Sequence, residues 1–305
     1  MAKRNFAGHA CCWFSGVLTL LICLTIIVFL VLKGVHVIDW HFIITDPKPS
    51  LEEALTGGIL TPIIGTVLLT TLAIFFALPW ALATAIYLAE YAEDNHWVNT
   101  LRIGIDVLAG VPTIVFAIFG LAIFTYHGLA FLSTMVEGVE NAKAFGRSFL
   151  TASFTMAMMV LPFMTKAIEE AIRSVPLTYR EAAHALGVSK WRTIRKVILP
   201  AAAAGITTGV VLGIGRIAGD TAIVWLCLGG SMTLTGPQPW WEPQNWLATF
   251  QNTGSTLTTY IFYSSPAGEG NSPNKAFGAG LVLIVVILAL NAIVDYLGRT
   301  HLKEE

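Results

Sequence analysis

Six apolar runs recur along the chain, each about the length that a helix needs to cross a bilayer. They are Trp13 to Leu32, Ile59 to Tyr91, Ile105 to Thr125, Phe149 to Ile172, Ala201 to Leu228 and Phe277 to Leu297. Continuous apolar character over such lengths predicts helices, because in lipid a helix satisfies every backbone polar group within its own segment. The first run lacks a following small-x-small cleavage site and is longer than a signal core, so it is read as a retained helix. The second is too long for a perpendicular span and contains Pro62 and Pro79, which predicts tilt or a kink. Pro162 is expected to kink the fourth. The predicted fold is all-α: a polytopic membrane bundle of six transmembrane helices. Residues 1–58 form a first helix with an extracytoplasmic linker, 59–298 a transmembrane domain and 299–305 a cytoplasmic tail. The segment from Gly229 to Ala276 is an outer loop rich in Pro, Gly and Trp, with a short interfacial helix expected around Trp246 to Tyr263.

Composition agrees with this solvent. Of 305 residues, 55% are hydrophobic and only 12% charged, against roughly 25% charged in a soluble domain. Mean hydropathy is +0.70. With a net charge of −1 the chain has no basic excess, which excludes a nucleic-acid binder along with a soluble enzyme and a disordered chain. The basic residues are distributed unevenly. With both termini cytoplasmic, twelve Lys and Arg lie inside, including Lys3, Arg4, Arg102, Arg299 and Lys303. Five lie outside: Lys33, Lys48, Lys143, Arg147 and Lys275. The positive-inside rule therefore places both termini in the cytoplasm. The seven histidines and four cysteines show no metal-ligand spacing, so no metal site is expected.

The inside excess comes mostly from one loop, where seven basic residues fall between Lys166 and Lys196. Pro176 ends the fourth span, Leu177 to Leu186 are helix formers, and Gly187 is a natural helix terminator. Ser189 can cap a second short helix, Lys190 to Ile198, and Pro200 suits the first turn of the fifth span. The result is a cytoplasmic helical hairpin over about 173–200. Its small residues Ala182, Ala183 and Gly187 would let another backbone approach. Local physics leaves this open between a docking element and a solvated connecting loop.

The order Glu181-Ala182-Ala183, Gly187, Ile198-Leu199-Pro200 resembles the EAA loop of bacterial ATP-binding-cassette importer permeases. Further segments are similar to motifs of the phosphate permease of type A. These are Gly65-Thr66, Leu78-Pro79, Ala85 to Tyr91, Val111 to Phe116, and Arg216-Ile217-Ala218-Gly219-Asp220-Thr221. Where that family commonly has Gly-Glu-Thr, this chain has Gly219-Asp220-Thr221. The resemblance implies a type I importer (MetI-like) permease fold in the bacterial cytoplasmic membrane. It implies that Glu181, Ala182, Ala183 and Gly187 couple to a separate ATPase, and that phosphate is carried inward by alternating access. The implied partners are a second permease, a cytoplasmic ATPase dimer and an extracytoplasmic phosphate-binding protein. No Gly-x-x-x-x-Gly-Lys-Ser/Thr segment occurs, so ATP and Mg are expected on the partner ATPase, with no cofactor and no enzymatic activity on this chain. A permease for a related oxyanion, or a stand-alone carrier or channel, remains the alternative.

Arg216 is the charge that a membrane helix cannot carry without a reason. At about 100° per residue it falls within about 20° of Gly205 on the wheel, on the side marked by Gly205, Gly209 and Gly213. Asp220 falls within about 60° of Gly205, one turn beyond Arg216. Two arrangements fit: Arg216 and Asp220 neutralise one another as an i,i+4 pair, or Arg216 presents its fork to phosphate oxygens while Asp220 holds it and Thr221 adds a hydroxyl. Thr70, Thr71 and Thr113 are expected to satisfy their hydroxyls on their own helices.

Overall fold

A computed structural model of the protein describes residues 2–48, 57–93, 95–136, 143–231, 233–237, 239–266, 268 and 272–301, without side chains at 2–7, 136, 143 and 299–301. Part of the 1–58 linker, and the tail beyond 301 with Lys303, lie outside the described residues. So do the side chains of Lys3, Arg4, Lys143 and Arg299.

Among the described residues the long helices are α1 (Ala2–Gly34), α3 (Leu60–Ile86), α6 (Phe149–Arg173), α9 (Leu199–Ala218) and α12 (Pro273–His301). Between them lie the shorter α2 (Trp40–Ile44), α4 (His96–Ala109), α5 (Thr113–Phe124), α7 (Leu177–Ala185), α8 (Lys190–Thr193), α10 (Pro243–Gln251) and α11 (Leu257–Ser264). A two-stranded antiparallel ribbon, Met135–Val136 against Lys143–Ala144, is the only strand pair among the described residues. Five helical segments are long and apolar enough to span a bilayer, those containing α1, α3, α6, α9 and α12. α4 and α5 reach that standard only together.

Three expectations change. The predicted Ile105–Thr125 span is two helices bent by 100°. Gly110 ends α4, and Pro112 keeps Val111 out of helical geometry before α5 begins. The predicted Ala201–Leu228 span is also broken. Lys190 to Ala218 runs through α8 and a π-helical turn into α9, so the second arm of the hairpin is continuous with the span. The chain then breaks at Gly219–Thr221 before a separate turn, Val224–Leu228. Ser189 caps with its carbonyl, which accepts from the Thr193 N–H and hydroxyl, and not with its side chain. Third, the outer-loop helix is two helices, α10 and α11, and α11 begins with the buried residues Leu257, Thr258 and Thr259. Pro79 and Pro162 sit inside continuous helices.

Contacts divide the chain into two units, 1–60 with 260–284, and 61–259 with 285–305. In the first, Asp39 caps α2 through the Phe42 N–H, the Ile59 N–H bonds to the Phe42 carbonyl, and Phe29 meets Phe277 edge-on at 5.4 Å. In the second, the core lies on α6. Phe149, Met156, Met159, Met164, Ile168 and Ile172 are fully buried. α6 begins with a capping box, in which Ser148 Oγ accepts from the Thr151 N–H and Thr151 Oγ1 accepts from the Ser148 N–H. The glycines of α9 run down α6 in register. A Cβ at Gly205 would meet Ala171 Cβ, at Gly209 Ala167 Cβ (3.2 Å), and at Gly213 Met164 Sδ (3.0 Å). Small residues let the backbones approach where dispersion, rather than water exclusion, drives association.

Gly215, one residue off this line, faces open space. Gly205→Leu is therefore expected to destabilise the bundle by about 1–3 kcal/mol, while Gly215→Ala is expected to hold or raise stability, by up to about 1 kcal/mol. Thermal unfolding of both variants in detergent, followed by size-exclusion fluorescence, checks the contrast.

Candidate functional site

The glycine line ends at the charge. α6 and α9 run antiparallel, so after Gly213 on Met164 the next position of α9 on that face, Arg216, meets Phe163 and Met159 of α6. The guanidinium carbon lies 3.7 Å from the Phe163 ring centroid, and Nε donates to Met159 Sδ at 3.1 Å. A planar, weakly hydrated cation on an aromatic face tolerates partial burial that an ammonium would not. Its Nη1 and Nη2 groups make no hydrogen bond or ion pair among the described residues. The orientation expected from the wheel is thus what the structure has, and the aromatic and sulfur partners are what the sequence did not reveal.

Asp220 is a correction. It is not one helical turn beyond Arg216, because α9 ends at Ala218 with Gly219 as its cap. The carboxylate instead caps the following turn, Oδ1 accepting from the Ile223 N–H at 2.8 Å. No ion pair joins it to Arg216. The reason is local: glycine favours the helix end, and a short acid bonds to backbone N–H groups more readily than it prolongs a helix. The pair is therefore not a helical i,i+4 pair, and Arg216 acts on Asp220 only at longer range. Thr221 lies in the break, its carbonyl accepting from the Trp225 N–H at 2.9 Å.

Other elements close on this break. The Thr113 hydroxyl, at the start of α5, approaches the Asp220 carboxylate instead of bonding to its own helix. Thr258 Oγ1 donates to the Asp220 carbonyl at 3.2 Å, and the Leu257 N–H donates to Thr66 Oγ1 at 2.9 Å. Gly65 is needed for that approach, since a Cβ there would strike the Ser255 carbonyl. Thr66, Thr70, Thr256 and Thr258 line a small cavity beside Ile217, Ala218 and Val224. Thr71 bonds to its own helix at the Val67 carbonyl as expected, whereas the buried Thr70 hydroxyl has no hydrogen-bond partner among the described residues. The hydroxyl-rich run Ser255–Thr259 was the available signal for this arrangement, and its distance in sequence from α3 concealed it.

The first arm of the hairpin, α7, forms over Leu177–Ala185, while the second runs on into α9. Gly187 has φ +70° and closes α7 in a Schellman motif: its N–H bonds to the His184 carbonyl at 2.9 Å and the Val188 N–H to the Ala183 carbonyl at 3.1 Å. Glu181, Ala182 and Gly187 are exposed, with Leu177 and Leu186 uncovered beside them at 64% and 83%. Ala183 is buried and packs within the chain.

The chain is thus a set of long apolar helices with two broken spans, a part-buried arginine on the packed face of α9 and a charged helical hairpin. Residues 81–301 match the family described as binding-protein-dependent transport system inner membrane component, and the chain belongs to that family. It is 31% identical over 241 residues to the phosphate transport system permease protein PstA 1 of Mycobacterium tuberculosis, covering 79% of this chain and 70% of that protein. It is 28% identical over 282 residues to the probable ABC transporter permease protein YqgI of Bacillus subtilis, covering 90% and 88%. Among solved structures it is similar to a chain of the bacterial alginate ABC transporter in complex with an alginate pentasaccharide-bound periplasmic protein. There the TM-score is 0.63 at 16% identity, covering 99% of this chain and 96% of that one. A chain of the inward-facing MetNI methionine ABC transporter gives 0.55 at 16%, covering 81% and 95%. The fold is that of the type I ABC importer permeases.

Because Asp220 caps a helix turn, Asp220→Ala is expected to lower stability by about 1 kcal/mol, read as a drop in Tm. Asp220→Asn keeps the cap and is expected to unfold near the wild-type temperature, which separates capping from charge.

Proposed function

We propose that this chain is a transmembrane subunit of an ATP-driven importer of inorganic phosphate, working by alternating access. The observation that carries the proposal is Arg216. Its guanidinium is held on one side by the Phe163 ring and by Met159, and its two Nη groups make no hydrogen bond or ion pair among the described residues. Such a fork matches phosphate oxygens in geometry and charge. Asp220 and Thr221 follow it at the break in the span, and Asp220 is near enough to feel its charge. The fixed carboxylate weakens the local positive field, so an anion is held briefly and released, as conduction requires. The likeness to the phosphate permeases supports the choice of anion.

The driving force comes from outside this chain. A cytoplasmic ATPase dimer that carries ATP and Mg engages the α7 hairpin, with Glu181, Ala182 and Gly187 on the contact face and Ala183 packed behind it. A second permease completes the pathway, and an extracytoplasmic phosphate-binding protein delivers the anion. Both termini are cytoplasmic in this arrangement, on the side of the basic hairpin.

Radiolabelled phosphate uptake by the complex in proteoliposomes tests the first part. Arg216→Gln is expected to reduce uptake by about ten- to a hundredfold, the loss of one or more charge-assisted hydrogen bonds, with assembly unchanged. Wild-type uptake with that variant, or stronger competition by sulfate or molybdate than by phosphate, overturns the assignment. Co-purification tests the second. Glu181→Lys, or Gly187→Val at a left-handed position with open space around it, is expected to release the ATPase from the membrane subunits.

A further inference from the structure

The end of α3 meets the hairpin through charged groups that neither the anion path nor the exposed face of α7 uses. α3 finishes in a π-helical turn, Tyr87–Tyr91, in which the Ala92 N–H bonds to the Tyr87 carbonyl at 2.8 Å. In an α-helix that N–H would serve Leu88. The wider turn frees the Leu88 carbonyl, which instead accepts from Arg102 Nη2 and Arg173 Nη2, each at 3.1 Å. Glu169 neutralises the same two arginines at 3.3 and 3.0 Å.

Within the same turn, Glu90 Oε1 accepts from Arg180 Nε at 3.1 Å and Nη2 at 2.7 Å. Arg180 belongs to α7. Its Nη1 also donates to the Val175 carbonyl at 2.7 Å, and its Nη2 to the Ile172 carbonyl at 2.9 Å, in the last turn of α6. One planar group therefore ties the ends of α3 and α6 to the hairpin. The two side chains are 8% and 17% exposed, so neither charge is free to find water instead. Beside them, Lys190 Nζ sits 4.7 Å over the Tyr91 ring, so the end of α3 grips the second arm of the hairpin as well.

We propose that Arg180 and Glu90 form the joint that transmits hairpin movement to α3 and α6, Arg180 being a positioning residue for coupling rather than a docking residue. The proposal rests on the hairpin being the ATPase contact, as argued above. A rigid fork bonded to a carboxylate and two carbonyls fixes angle as well as distance, so a displaced α7 carries the span ends with it. Lysine, with a flexible stem and no fork, would keep the charge and lose the angle.

The test uses the assembled complex in proteoliposomes, measuring ATP hydrolysis with loaded binding protein and phosphate uptake together. For E90Q, which preserves shape, and R180K, which preserves charge, the ATPase is expected to remain bound with hydrolysis within about twofold of wild type. Phosphate taken up per ATP is expected to fall about tenfold. An unchanged ratio in E90Q overturns the joint, as does loss of the ATPase, or of uptake and hydrolysis in parallel. Wild-type uptake that needs no ATP would instead overturn the importer reading, so the two failures are told apart.

Discussion

Close approach of α6 and α9 is the constraint on which the second unit depends. In a bilayer, apolar side chains gain nothing by leaving water, so helices associate through dispersion and polar contact at short range. Gly205, Gly209 and Gly213 supply that range by having no side chain toward Ala171, Ala167 and Met164. The same register carries Arg216 onto Phe163 and Met159. A charge is thus placed by glycine packing, since the residues that set its position are uncharged and precede it by whole turns.

A second rule governs the breaks. Backbone polar groups freed from a helix must find partners where no water is available. At Gly219–Thr221 they do so with Asp220, which caps the next turn, and with Thr258, which bonds to the Asp220 carbonyl. The Leu257 N–H uses Thr66 in the same way. The threonines around the break are therefore part of how an interrupted span is tolerated. At the hairpin end of α3 the freed Leu88 carbonyl is satisfied differently, by two guanidinium groups, and the chain there becomes a polar junction.

Much of this was legible in the residues. Helix identity followed from run length. The hairpin followed from Pro176 and Gly187, whose backbone preferences act within a few residues, and the facing of Arg216 followed from its spacing to the glycines. Where the sequence misled, the cause was a polar residue with two possible partners. Both arrangements read from the sequence put Asp220 one turn beyond Arg216 because the helix was assumed to continue, whereas the carboxylate caps the next turn. Val111-Pro112 and Gly110 stood in the sequence as breakers, yet the apolar content around them read as one straight span, and the structure bends there by 100°.

The sequence by itself determined the solvent, the helical class, the first arm of the hairpin and the face on which the part-buried arginine lies, because each depends on composition or on neighbours within a turn or two. Tertiary structure alone decided what the charges touch. Arg216 finds Phe163 and Met159, Glu90 finds Arg180, and Thr66 finds Leu257, across separations of 57, 90 and 191 residues. Contacts of that span are chosen by how helices pack and where they break, and no local pattern encodes them.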